Sequence, residues 1–178
     1  MSKWRVYLMG FVTLLMAPLG WLLCGMPPVL EFLQLDGLSN IWTLIGIEFG
    51  VCFGILMLIF TNTESARKSF SVQHQLIKSL RLNFFDILFL SLCAGFGEEI
   101  LFRIAVQQWL PPVLASIAFV AIHGYILPND LETTKYGLLV CFFITILSYA
   151  ISGEQGLWFC IAAHASYDFV LFYFWGRN

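Results

Sequence analysis

The chain has 178 residues and a formal net charge of −2; 60% of its residues are hydrophobic and only 11% are charged, against roughly 25% charged in an ordinary soluble domain. Aromatic residues reach 17%, including 18 Phe, and the mean hydropathy is +0.84. This balance excludes a soluble enzyme, a nucleic-acid binder and a disordered chain. It leaves an integral membrane protein whose partner is the lipid bilayer and whose few charges are its most informative residues.

A bilayer-spanning helix needs ~20 mostly apolar residues. Six stretches qualify, at about 4–24, 41–60, 83–105, 112–128, 136–152 and 157–175. Their unbroken apolar character favours helices over barrel strands, which alternate polar and apolar positions. The expected fold is an all-α polytopic bundle of about six transmembrane helices, forming a single membrane domain over residues 1–178. Lys3 and Arg5 ahead of the first apolar run also fit a signal peptide, but no small-x-small cleavage site follows, so the first span is read as retained.

Basic residues set the orientation. Lys3 and Arg5 open the first span, Arg67, Lys68, Lys78 and Arg81 lie between the second and third, Lys135 follows the fourth, and Arg177 follows the sixth. The alternate connections, near 25–40, 106–111 and 153–156, have no Lys or Arg. Both termini are therefore expected in the cytoplasm, as in a multi-pass protein of the cell (inner) membrane. Between spans two and three, Val72, Leu76, Leu80 and Phe84 recur at helical spacing. This fits an interfacial helix or simply a basic loop that sets topology; His74 lies here without an evident role. In the second span, Gly46, Gly50 and Gly54 form a small-xxx-small series that admits a closely packed helix.

The five cysteines, Cys24, Cys52, Cys93, Cys141 and Cys160, show neither finger spacing nor a CxxC pair, so they read as small buried hydrophobes. The intramembrane charges are different, because each costs ~2.5–3.5 kcal/mol on insertion scales. The third span carries Glu98, Glu99 and Arg103, the fourth His123, and the sixth His164 and Asp168; Glu48 stands alone in the second. Glu99 and Arg103 are four apart, so they share a helix face and can pair. Glu98 is rotated by about 100° from that face and is left for another task. His164 and Asp168 are also four apart, so Asp168 could orient the imidazole or share a proton with it. Singly, an intramembrane His is often an interhelical hydrogen bonder and a Glu–Arg pair a lock between helices. Together, on three helices of so charge-poor a chain, they form a constellation able to move protons. One geometric tension remains: straight helices leave Glu98 and His123 offset axially by about 10 Å, which tilt or a later start to the third span would close. Glu48 could line the same cavity or pair with Arg103, and is read as structural.

These residues resemble the CAAX protease and bacteriocin-processing family of intramembrane proteases (CPBP, or ABI). Its pattern, EExxxR, then FxxxH, then HxxxN or HxxxD, reads here as Glu98-Glu99-x-x-x-Arg103, Phe119-x-x-x-His123 and His164-x-x-x-Asp168. The resemblance covers roughly residues 83–175. It implies a glutamate-dependent endopeptidase that needs no metal or other cofactor. Glu98 and His123 would hold and activate the attacking water. His164 and Asp168 would stabilise the oxyanion or position the peptide carbonyl. Glu99 and Arg103 would be structural, and Phe119 would pack behind His123. Asp168 stands where the prenyl-protein proteases carry Asn; an ionised Asp repels an oxyanion, so it must be protonated or act through His164. With its short chain, the protein reads as a small bacterial-type member acting on a membrane-associated peptide or protein, in peptide maturation or removal of a C-terminal tail.

Three other readings compete. Glu98, His123 and His164 could bind zinc with an open position, although no HExxH pair is present. Cys160, His164 and Asp168 form a stripe that could serve a cysteine protease, but it leaves Glu98 and His123 unused. A non-catalytic immunity or scaffold protein, or a proton-coupled transporter, is the non-enzyme alternative. The sequence does not fix the oligomeric state.

Overall fold

The structure, a computed structural model, describes residues 3–177; the side chain of Arg177 lies outside the described residues. Among the described residues all regular structure is helical. The first apolar run forms α1 (Lys3–Leu14) and α2 (Met16–Leu23). The joint at Leu15 has a local cause: Pro18 has no N–H to give to the carbonyl four residues back and its ring crowds that carbonyl. Two short turns follow, α3 (Val29–Phe32) and a 3-10 turn at Leu35–Gly37. Next come α4 (Asn40–Thr61), α5 (Glu64–Ser69) and α6 (Ser71–Leu80). α7 (Phe84–Glu99) continues without a break into a π-helical segment, Ile100–Ala105, and a 3-10 turn, Val106–Gln108. α8 (Pro112–Ile122), α9 (Leu131–Ala150) and α10 (Gly156–Arg177) complete the chain.

Among the described residues, four helical stretches are long and apolar enough to cross a membrane: Lys3–Leu23, Asn40–Thr61, Leu131–Ala150 and Gly156–Gly176. α7 is 16 residues long and gains 6 from the π segment. The expected span over 112–128 departs from this pattern, because α8 is only 11 residues long. It ends in a Schellman cap: Gly124 adopts φ +73°, its N–H bonds Ala121 O at 3.0 Å, and Tyr125 N–H bonds Val120 O at 3.3 Å. Helix 112–128 is thereby corrected to a short helix that stops at His123.

α10 lies at the centre, against α4 on one side and α7 on another. The glycine series explains the first contact. A Cβ on Gly46 would stand 2.6 Å from Phe159 O, and one on Gly54 would stand 2.9 Å from Val170 Cβ; Gly50 faces Ala163 and Ser166 with still less room. Ser166 Oγ then donates to Ile47 O at 3.1 Å across the contact. On the other side of α10, a Cβ at Gly95 would be 2.7 Å from Ile161 O, while Gly97 abuts Thr13 of α1. These two glycines of α7 thus let helices approach on both flanks. A buried aromatic and aliphatic cluster including Phe53, Phe143, Leu147 and Tyr167 joins α4, α9 and α10.

The end of the bundle that carries the basic residues is tied together by polar contacts. Asn83 and Asp86 form a reciprocal capping box at the start of α7. Lys3 pairs with the buried Asp86, and Lys3 Nζ also donates to Arg81 O at 3.2 Å. Ser69 Oγ donates to Asp130 at 2.9 Å, linking α5 to the start of α9. The connection expected as either an interfacial helix or a basic loop contains a helix, α6. Its inward residues are Ile77 and Leu80, while Val72 and Leu76 face outward.

Candidate active site

α7 supplies two adjacent acids with opposite surroundings. Glu99 is fully buried; its Oε2 accepts from Arg103 Nε at 2.8 Å and its Oε1 is 2.8 Å from His164 Nδ1. Arg103 sits in the π segment, where a wider turn than the α-helical one still lets its guanidinium reach back to Glu99. It also donates to Gln107 Oε1 at 3.0 Å and to Ser148 of α9. Gln107 Nε2 in turn donates to Ser148 O at 2.9 Å. The lock between helices expected of Glu99 and Arg103 therefore extends over α7, α9 and α10.

Glu98 turns instead into a cavity of about 330 Å³ that it shares with His123, Tyr125, His164 and Asp168. His123 Nε2 is 3.6 Å from Glu98 Oε2, and His164 Nε2 is 3.9 Å from the same oxygen. The axial tension is thereby closed: the two side chains meet, with His123 at the C-terminal end of the short α8. Asp168 Oδ2 is 3.7 Å from His164 Nε2, beyond a direct hydrogen bond. The carboxylate that orients the His164 ring is thus Glu99, a role the sequence reading left to Asp168.

The ring nitrogens can be assigned from their partners. A backbone carbonyl only accepts, and His123 Nδ1 is 2.7 Å from Phe119 O. Nδ1 therefore carries the proton and Nε2 faces Glu98 with a lone pair when the ring is neutral. By the same logic Glu99 holds the proton on His164 Nδ1. Phe119, buried, stacks on His123 with ring centroids 4.3 Å apart, and the Tyr125 ring lies nearly parallel to the imidazole at 6.0 Å. Tyr125 escaped the sequence reading; its one signal there was its place two residues past His123. Tyr136 and Tyr167, hydroxyls 2.7 Å apart, lie behind it.

Other candidates fall away from this centre. Glu48 is exposed on α4; it neither lines the cavity nor pairs with Arg103. Cys160 is buried and its thiol donates to Leu147 O at 3.3 Å, so it does not face the cavity. All five cysteines are free thiols. Among the described residues, no three His, Cys, Asp or Glu side chains are disposed to hold a metal ion.

Fold and site together define a multi-pass membrane protein with a carboxylate–imidazole centre enclosed by its helices. Residues 80–170 match the Rce1-like family of type II CAAX prenyl endopeptidases, and the chain belongs to that family, one of membrane proteases. The matched stretch holds Glu98, Glu99, Arg103, Phe119, His123, His164 and Asp168. No curated sequence and no solved structure matches this chain.

Proposed function

We propose that the protein is a glutamate-dependent intramembrane endopeptidase of the cell membrane that cleaves a membrane-associated peptide or protein, with its basic end in the cytoplasm. The observation that carries this reading is the 3.6 Å separation of Glu98 Oε2 and His123 Nε2. Both atoms are acceptors when the acid is ionised and the ring neutral, so one water can donate a hydrogen to each from about 2.8 Å. Its oxygen lone pair then points away from both, towards a bound peptide carbonyl. As the water oxygen bonds the carbonyl carbon, its proton passes to Glu98. The same proton goes to the departing amine nitrogen as the C–N bond breaks, leaving a carboxylic acid and an amine.

His164 lies on the far side of Glu98, fixed through Nδ1 by Glu99. With a proton on Nε2 it can donate to the developing oxyanion. Asp168 stands beside that nitrogen at 3.7 Å, too far to bond it directly, and can donate a proton of its own to the oxyanion when protonated. Phe119 and Tyr125 keep the His123 ring upright. In this reading the substrate is a peptide segment at the membrane, processed in maturation or tail removal. The test is Glu98→Gln, which keeps size and shape but cannot take a proton. Purified variant and wild type, incubated with membrane peptides and read by mass spectrometry, are expected to differ by about 10²–10⁴-fold in cleavage rate. Equal rates would remove Glu98 from the chemistry. Wild-type cleavage that persists in a strong chelator separates this reading from a zinc protease.

A further inference from the structure

A second cavity, of about 560 Å³, opens at the basic end of the bundle, between the start of the α5–α6 segment and the end of α10. Arg67, Lys78, His74, Ser71, Gln75 and Trp175 line it together with Asn62. Among the described residues that line it, none is acidic. Asn62 tethers Arg67, which donates from Nη2 to the Asn62 carbonyl and side-chain oxygens at 3.4 Å each. A guanidinium has five N–H donors in a fixed fork, so donors remain for a further acceptor.

Two lining groups carry buried nitrogens without a hydrogen-bond partner: Trp175 Nε1 and His74 Nε2. Trp175 is only 8% exposed, and its ring meets His74 edge-on at 4.5 Å. An indole nitrogen can only donate, and a buried donor left without a partner is destabilising, which an anion in the cavity would offset. Burial, and secondarily Arg67, hold His74 below its ordinary pKa; its ring is neutral at pH 7 and can donate from Nε2, as the Nε2–H tautomer, without adding charge. Val72 is exposed on the same α6 helix, on the flank next to the lining residues Ser71 and Gln75. A ligand seated by its anionic head thus has apolar surface beside it for hydrocarbon chains.

We propose that this cavity binds a phosphate group, supplied by the headgroup of an anionic phospholipid. The cations supply attraction, Trp175 and His74 supply directed donors, and α6 supplies the lipid-facing edge. Trp175 also lines the Glu98 cavity, so the lipid site and the candidate active site share one wall. The inference does not depend on the proteolytic reading, because its readout is binding.

Native mass spectrometry of the full chain in neutral detergent provides the test, with phosphatidylglycerol, phosphatidylcholine and inorganic phosphate as separate probes. Phosphatidylglycerol is expected to bind in preference to phosphatidylcholine, and glycerol 1-phosphate to displace it. A basic side chain near such a headgroup is worth about 1 kcal/mol. Arg67→Gln should therefore weaken binding about fivefold, and Arg67→Gln with Lys78→Gln about 25-fold. Trp175→Phe removes the N–H while keeping an aromatic ring and should weaken binding without lowering the melting temperature. Equal phosphatidylglycerol affinity in wild type and the double variant would overturn the proposal, as would equal binding of phosphatidylcholine. Arg67-dependent binding of inorganic phosphate alone, with no lipid retained, would overturn the lipid source.

Discussion

The two histidines beside Glu98 are held in opposite ways. His164 sits in mid-helix on α10, nearly fully buried, fixed by Glu99 from α7 through a bond of 2.8 Å. His123 caps the end of short α8, its side chain 31% exposed, fixed by its own helix through Phe119 O. One wall of the site is therefore a rigid helix–helix contact and the other an open helix end. The difference teaches which side of the site is open: the α7–α10 face is closed by glycine-mediated contact, while the exposed His123 marks an accessible edge of the cavity.

The sharpest way to break this contrast is to remove each imidazole in turn. His123→Ala and His164→Ala should each lower cleavage by about 10²–10⁴-fold. Only the first leaves a hole at an open wall, so free imidazole in the assay should restore His123→Ala and not His164→Ala. Equal rescue of both would show that the α10 wall is as open as the α8 wall. Next in size is the lock behind His164. Arg103→Met leaves Glu99 buried without its cation and should cost about 3–5 kcal/mol, read as a large drop in melting temperature. A change at the surface-exposed Glu48 provides the contrast, with an expected effect near zero in the same measurement. Gly95→Ala then tests the contact itself. Its Cβ would press on Ile161 O, so overpacking should cost about 1–3 kcal/mol and displace Glu98 and Glu99 relative to His164, lowering the rate as well as stability.

The smallest effect is expected far from the site, at the basic end. Asp130 caps α9 and accepts from Thr133 N at 3.1 Å, Thr133 Oγ1 at 2.8 Å and Ser69 Oγ. The Thr133 bonds, backbone first, hold its carboxyl below the ordinary value. A lowered pKa means that the contribution is complete above the unfolded value near pH 4 and fades as pH falls through the folded value. Asp130→Ala should cost about 1 kcal/mol as a lost cap and flatten the acid limb of the melting-temperature profile.

Much of this arrangement is legible in the sequence. Unbroken apolar runs place α4, α9 and α10, because nothing in the lipid competes with a helix for the backbone. The four-residue spacing of Glu99 and Arg103 gives their pairing, and the glycine series of α4 gives its close neighbour. The end of α8 is not legible by hydropathy, since Tyr125, Ile126 and Leu127 continue the apolar run past His123. A turn reading would have found it, from Gly124 with Pro128, Asn129 and Asp130 beyond. The Glu99–His164 bond is harder. It depends on the rotational phase of α7 against α10, which is set by Gly95 and has no signature along either helix alone. The π segment that carries Arg103 likewise has no residue pattern that marks it.

The shortness of α8 has a consequence for supply. Eleven residues rise about 16 Å, roughly half the hydrocarbon thickness. The peptide groups just past His123 are nevertheless satisfied by the protein: Gly124 and Tyr125 donate back into the last turn of α8, and Leu127 N–H donates to Thr134 Oγ1 at 3.1 Å. This corner therefore holds its fold without a further turn of helix over His123, whose side chain stays 31% exposed. In the proposed reaction, water reaches Glu98 from this open corner rather than through the buried His164 wall.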